Sequence, residues 1–132
     1  MADIVLRMSI MEDSFGICRF DPDMPIPEWA FKGDFASVTK TFEEISIVCP
    51  VGFIPDDVKC ERNWSGLKAE GPLDFSLTGI LASISTILAQ SGISIFAVST
   101  YDTDYVFVRE KDLNSAVEAL SRGSCEIVHP KG

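Results

Sequence analysis

Chemistry-capable residues gather at four places in this sequence of 132 residues. The first is the stretch from Gly71 to Gly79, which leads into an apolar helical pattern. Unpaired N–H groups at a helix start and the positive end of its dipole suit an anion such as a carboxylate, and a glycine there lets backbone or ligand approach without a Cβ clash. Most helix starts, however, hold only water and their own cap. The second is the Ser-Thr-Tyr-Asp-Thr-Asp run, Ser99 to Asp104. Its two carboxylates and flanking hydroxyls suit an ammonium group or a cation, and equally an Asx-type turn between strands.

The other two places are weaker chemistry. Asp21, Pro22 and Asp23 have the look of a metal loop, but the regular Asp spacing and distant Glu of a calcium loop do not follow, which favours a solvated turn. Cys18, Cys49, Cys60 and Cys125 contain no Cys-x-x-Cys pair, and the one histidine, His129, lies in the C-terminal tail. Neither a zinc site, which takes four converging ligands, nor a cysteine–histidine nucleophile with an orienting third group can be assembled from that spacing. This spacing disfavours a metal site, no cofactor is expected, and a small enzyme would rest on this weak cysteine and histidine material alone. Cys49, within Ile45–Cys49, is expected as a packed strand residue.

Charge narrows the partners. Twenty acidic against 11 basic side chains give a net charge of -9. The excess is distributed: residues 1–62 carry 12 acids and 6 bases, and residues 63–132 carry 8 and 5. A phosphate backbone or anionic membrane surface would be repelled, so neither nucleic acid nor membrane is an expected partner. The longest apolar runs break well short of the roughly 18 residues a membrane span needs. No secretory leader is legible at the start, which leads to an expected cytoplasmic location with reduced thiols.

The elements that must position these groups follow from periodicity. Ile4, Leu6, Met8 and Ile10 alternate with Val5, Arg7 and Ser9, a strand pattern, and a second extended run follows at Phe15–Phe20. Pro22, Pro25 and Pro27 then exclude a regular helix and leave, from Pro25 to Phe31, a helical turn carrying Trp29 inward. Phe35–Phe42 and Glu44–Pro50 read as strands joined at Glu43 and Glu44. Residues 51–64 read as a connector. Ser65–Gly71 opens the second half as a strand, and the stripe Ile80, Leu81, Ile84, Ile87, Leu88 predicts a helix with Thr78 as N-cap and Gly92 as stop. Strands at Ile93–Thr100 and Tyr105–Arg109, a helix through Leu113, Ala116, Val117 and Leu120 ending at Gly123, and a strand at Cys125–His129 complete it. The second half thus reads βαββαβ, a ferredoxin-like α+β unit with an antiparallel sheet. A chain this short is expected to share one core between its halves, residues 1–62 and 63–132.

The runs GPLDFSLTGILA and GISIFAVSTYDTDYVFVRE, with ICRFDPDMPIPEW and FASVTKTFEEISIVCP before them, resemble the ACT-domain family. The likeness is to stand-alone paired-ACT proteins related to cytosolic arginine sensors and aspartate kinase regulatory domains. It implies two tandem ACT-like units, the first helix-depleted, acting as a non-catalytic regulatory module, typically a homodimer that acts on a protein partner. It further implies that a free amino acid binds at an interface between ACT units, against Leu77, Thr78 and Gly79, Ser94 and Ile95, and Thr100 with Asp104. Arginine-recognising relatives carry an acidic residue just before the helix glycine. Leu77 and Thr78 stand there instead, so arginine specificity is not carried over and a smaller or apolar amino acid is expected. The same family framework without a ligand would be an assembly module.

Overall fold

The structure is a computed structural model that describes residues 6–70, 79–123 and 125–130. The chain is α+β: seven strands and two α-helices, with three short 3₁₀ turns, among the described residues. It divides into two compact units. The larger takes the described residues up to Glu12 and from Ser65 onward, and the smaller is Asp13–Trp64.

The smaller unit is built from strands. β1 (Leu6–Phe20) is a single strand of 15 residues, so the two extended runs expected near the N-terminus are continuous. β2 (Ser37–Lys40) and β3 (Ile45–Pro50) pair antiparallel, and β3 pairs antiparallel with β1 from Phe15 opposite Pro50 to Phe20 opposite Ile45. Thr41 closes the β2–β3 turn: its N–H donates to the Glu44 carbonyl at 2.9 Å, and its hydroxyl accepts from the Glu43 and Glu44 N–H groups at 3.1 Å. The proline-rich segment forms only a 3₁₀ turn, Glu28–Phe31. Ala30 is its buried residue, while Trp29 packs half-buried against the core with its ring 6.1 Å from Phe20. Proline's missing N–H and fixed φ permit such a turn but no longer helix.

The larger unit carries the helices. β4 (Cys60–Ala69) starts five residues before the expected strand, through a residue in left-handed conformation, Asn63 (φ 68°). Asparagine tolerates that conformation, and it interrupts the regular alternation: Trp64, Ser65, Gly66 and Leu67 are buried in succession. Then come α1 (Ile80–Gln90), β5 (Ile95–Ser99), β6 (Asp104–Arg109), α2 (Leu113–Arg122) and β7 (Cys125–Val128). The order β4-α1-β5-β6-α2-β7 is the expected βαββαβ, and β5 and β6 pair antiparallel from Ile95 opposite Val108 to Ser99 opposite Asp104.

One strand is added to that unit. The opening stretch of β1 stands between β7 and β4, pairing parallel with β7 from Leu6 opposite Cys125 to Ser9 opposite Val128. Residues 6–12 therefore belong with the second half, whereas the expected division kept them in the first. Alternation reveals a strand with one buried face, but not the sheet position it fills. Two hydrophobic clusters are described, one in each unit. Met8, Leu67, Ala69, Ile84, Leu88, Ile93, Val106, Val108, Ala116 and Leu120 form the larger, and Cys18, Ala30, Ile45, Ile47, Cys49 and Ile54 the smaller. β1 and β4 are long enough to send residues into each cluster, which is how a short chain supports both.

Helix ends fix the larger unit's geometry. The Ile93 N–H donates to the Leu88 carbonyl and the Gly92 N–H to that of Ala89, both at 3.0 Å, with Gly92 at φ 73°. This is a Schellman stop, with Ile93 folded back into the core. At the C-cap of α2, a Cβ on Gly123 would lie 2.6 Å from Ile87 Cδ1, so the glycine admits the α1 side chain.

Candidate functional site

The start of α1 departs from the expected cap. The N-cap is Gly79, in left-handed conformation at φ 81° and ψ 10°, with no side-chain cap bond. Thr78, expected as the cap, lies outside the described residues with Leu77, as does the rest of 71–78. The Gly79 carbonyl accepts the first helical bond, from the Ser83 N–H at 2.8 Å. The amides of the first turn then have no intrahelical acceptor. No acidic side chain occupies that turn, and a Cβ built on Gly79 meets no atom within 4 Å. The glycine is thus required by backbone conformation, and a Cβ there would meet none of the described residues.

The β5–β6 turn is the second component. The Thr100 N–H donates to the Thr103 carbonyl at 2.8 Å, and the Thr100 hydroxyl donates to that carbonyl at 3.1 Å while accepting from the Thr103 N–H at 3.2 Å. Asp104 Oδ1 accepts a 2.5 Å hydrogen bond from the Ser99 hydroxyl. Of the two readings of Ser99–Asp104, the structure thus shows a side-chain-stapled turn. Asp104 is half-buried and keeps further acceptor capacity on its carboxylate.

Thr103 ties the turn to β4. Its hydroxyl, on a residue 9% exposed, donates to the Ala69 carbonyl at the end of β4. Beside it, the Ser9 hydroxyl donates to Glu70 Oε1, the Glu70 N–H donates to the Arg7 carbonyl at 2.7 Å, and Arg7 pairs with Glu126 at 3.5 Å. Thr103, Ser9 and Glu70 were missed at the level of sequence. The Thr-x-x-Thr spacing of a side-chain turn could have flagged Thr103. Nothing local couples Ser9 to Glu70, 61 positions away.

Connectivity sorts the expected site residues into two sets. β4 ends at Ala69 beside the Thr100–Thr103 turn, and residues 71–78 lead from there to Gly79. α1 spans 11 residues, about 16 Å at 1.5 Å per residue, before the short Ser91–Ser94 connection enters β5. Thr100 and Asp104 lie at the turn end of the β5–β6 hairpin. Ser94, exposed, and Ile95, half-buried against the core, lie at the other end. Ile95 and Asp104 are about 13 Å apart along the hairpin, four register positions at 3.3 Å each.

The remaining candidates are placed plainly. Asp21 accepts from Arg19 at 3.3 Å and its carbonyl from the Met24 N–H at 3.1 Å, while the Pro22 carbonyl accepts from Lys40 at 3.2 Å, all in an exposed turn. His129 is exposed beyond β7. Cys49 is fully buried in β3, as expected of a packed strand residue. Among the described residues no group of three or more His, Cys, Asp or Glu is placed to hold a metal ion, and no helix is long and apolar enough to cross a membrane.

Comparison with known proteins agrees with this architecture. A family model described as the ACT domain matches residues 59–122, and a model of an N-terminal domain matches residues 13–57. The chain is similar to a crystallised protein from Agobacterium tumefaciens, 37% identical, with a TM-score of 0.92, covering 98% of this chain and 97% of that one. The regulatory subunit of aspartate kinase from Thermus flavus shares the fold: TM-score 0.64, 13% identity, 87% of this chain and 95% of that one. The cytosolic arginine sensor for mTORC1 subunit 1 from Bos taurus is 33% identical over 67 residues, 47% of this chain. That match spans 20% of the sensor's own length, so the chain corresponds to a fraction of it. The βαββαβ order and the family match together identify an ACT domain at residues 59–122, preceded by a helix-poor unit.

Proposed function

We propose that the chain is a non-catalytic, cytoplasmic regulatory module that binds a free amino acid at the end of the larger unit where α1 starts. The observation that carries this is the half-buried Asp104 carboxylate on a stapled turn, in a unit whose α1 starts at a left-handed glycine, Gly79. Helix-start amides suit the α-carboxylate of an amino acid, and Asp104 suits its ammonium group. Leu77 and Thr78 precede Gly79 in sequence, and Thr100 holds the turn's shape. Ser94 and Ile95, at the far end of the hairpin, join such a ligand only from a second copy of the unit, which agrees with the homodimer typical of the family. The sensor named for arginine lends the ligand class, and the absence of an acidic residue at Leu77 and Thr78 argues for a small or apolar side chain.

The test is thermal unfolding of the full chain with each free amino acid in turn. A ligand at about 100 times its dissociation constant adds about 2.7 kcal/mol, which moves the midpoint of a domain this size by several degrees. One responding amino acid is expected, with the shift abolished in Asp104→Ala. A flat response to all of them abandons the ligand. A second reading, an assembly module without ligand, is favoured by β5 standing at the end of the strand order, hydrogen-bonded to β6. Light scattering that shows a dimer unchanged by every amino acid selects it.

A further inference from the structure

Three of the four thiols, distant in sequence, converge in the smaller unit. Gly16 on β1 lies opposite Cys49 on β3, and Cys18 is two residues further along the same face of β1. A Cβ placed on Gly16 would be 3.5 Å from Cys60 Sγ and would strike Ile54 Cδ1 at 2.4 Å. The bare backbone of Gly16 therefore makes room for the Cys60 side chain from β4, between Cys18 and Cys49, with Ile54 closing the space. The Cys60 thiol is close enough to Cys18 to raise its affinity for its proton. All four cysteines are free thiols.

Access differs among the three. Cys18 and Cys49 are sealed, at 1% and 0% exposure, whereas Cys60 is half-buried on the rim of the cluster. Burial first, then the neighbouring Cys60, pushes the Cys18 thiol up to about 12, and the same causes push Cys49 up to about 11. The thiolate is the species that attacks an oxidant, so neither sealed thiol reacts first. A metal ion is not the occupant, since the described residues place no suitable trio of ligands.

We propose that Cys60 and Cys18 form an oxidisable dithiol, in which hydrogen peroxide oxidises Cys60 and Cys18 closes a disulfide that ties β4 to β1. In the first step Cys60 sulfur attacks the peroxide. The O–O bond breaks, sulfur gives up two electrons to become a sulfenic acid, and the thiol proton leaves with the departing oxygen as water. In the second step Cys18 sulfur attacks the sulfenic sulfur. The S–S bond forms, the S–O bond breaks, and hydroxide takes the Cys18 proton as a second water. Two thiols and one peroxide thus yield one disulfide and two waters. The high affinity of Cys18 for its proton makes the second step the slow one, so the sulfenic acid accumulates before the cross-link.

The experiment is peroxide treatment of the full reduced chain, alkylation of the remaining thiols at timed intervals, and mass mapping of an unreduced digest. The expected result is a peptide pair joined Cys18 to Cys60, two hydrogens lighter than its parts and separated by dithiothreitol, with a sulfenic acid at Cys60 trapped by dimedone at early times. Cys60→Ser and Cys18→Ser abolish the pair, and Cys49→Ser retains it. If Cys18→Ser fails to fold because it buries a hydroxyl, Cys18→Ala gives the same readout. Recovery of both Cys18 and Cys60 as alkylated thiols overturns the proposal. So does over-oxidation of Cys60 without a cross-link, or a cross-link from Cys60 to any residue other than Cys18.

Discussion

The two units solve the same problem with different material. In the larger, α1 and α2 cover strands with aliphatic side chains: Ile84, Leu88 and Leu120 are fully buried against Leu67, Val106 and Val108. In the smaller, no α-helix is present, and a 3₁₀ turn supplies Ala30 while two buried thiols fill space that leucines fill in its neighbour. A helix delivers several long side chains from one face at once. A strand-and-turn layer delivers one residue at a time, and its core combines Ile45, Ile47 and Ile54 with the smaller Ala30, Cys18 and Cys49. The larger unit's stability should therefore rest on volume, and the smaller unit's on turns and on neutral thiols.

The strongest way to break that contrast is to remove volume from the helical core. Leu88→Ala takes away a fully buried side chain at the Schellman end of α1 and should cost about 2–5 kcal/mol, measured by denaturant unfolding. Because β1 carries Met8 into one cluster and Cys18 into the other, and β4 does the same with Leu67 and Cys60, both units are expected to unfold in one transition. Two separated transitions, with Leu88→Ala moving just one, would show that the strands shared by the clusters do not couple them.

A smaller effect sharpens the comparison at the candidate site. Thr103→Val keeps shape but removes the donor to the Ala69 carbonyl, leaving that buried acceptor without this partner. The expected cost is about 1–3 kcal/mol. Amide exchange should rise at Thr100 and Thr103, whose hydrogen bonds close the turn, and stay unchanged at the Thr41–Glu44 turn of the smaller unit. Equal loosening of both turns would contradict a locally held site.

Most of the element order was legible because apolar periodicity is strong where one face is buried. The α1 stripe, the Gly92 stop and the β5–β6 hairpin all follow from spacing within a dozen or so residues. What was not legible is what depends on distance in sequence. The place of β1 beside β7, the division into two cores and the meeting of Cys18, Cys49 and Cys60 are set by strand pairing. The Thr78 cap was a local inference, and Gly79 took the cap position because its left-handed backbone already turns the chain into the helix. At the candidate site, Asp104 and Gly79 were readable as residue types, whereas the separation of Asp104 from Ile95 follows from the β5–β6 register.

The last test concerns the thiols and is worked out by sign. Cys18 and Cys49 are pushed from 9.0 up to about 12 and about 11 in the folded chain, by burial first and by Cys60 second. Their folded state holds protons that the unfolded state releases, so their contribution is complete below pH 9 and is lost as pH rises through 11 for Cys49 and 12 for Cys18. Within that window stability should fall by about 1.4 kcal/mol per pH unit for each thiol that ionises only on unfolding. The informative quantity is the difference between the native chain and a Cys18→Ala, Cys49→Ala variant under reducing conditions. The variant should lose most of the extra slope. What remains should include Cys125 of the larger unit, which burial also raises. A slope identical in the two proteins would mean that the smaller core does not depend on keeping its thiols neutral, and the contrast between a volume-held and a thiol-filled unit would fail there.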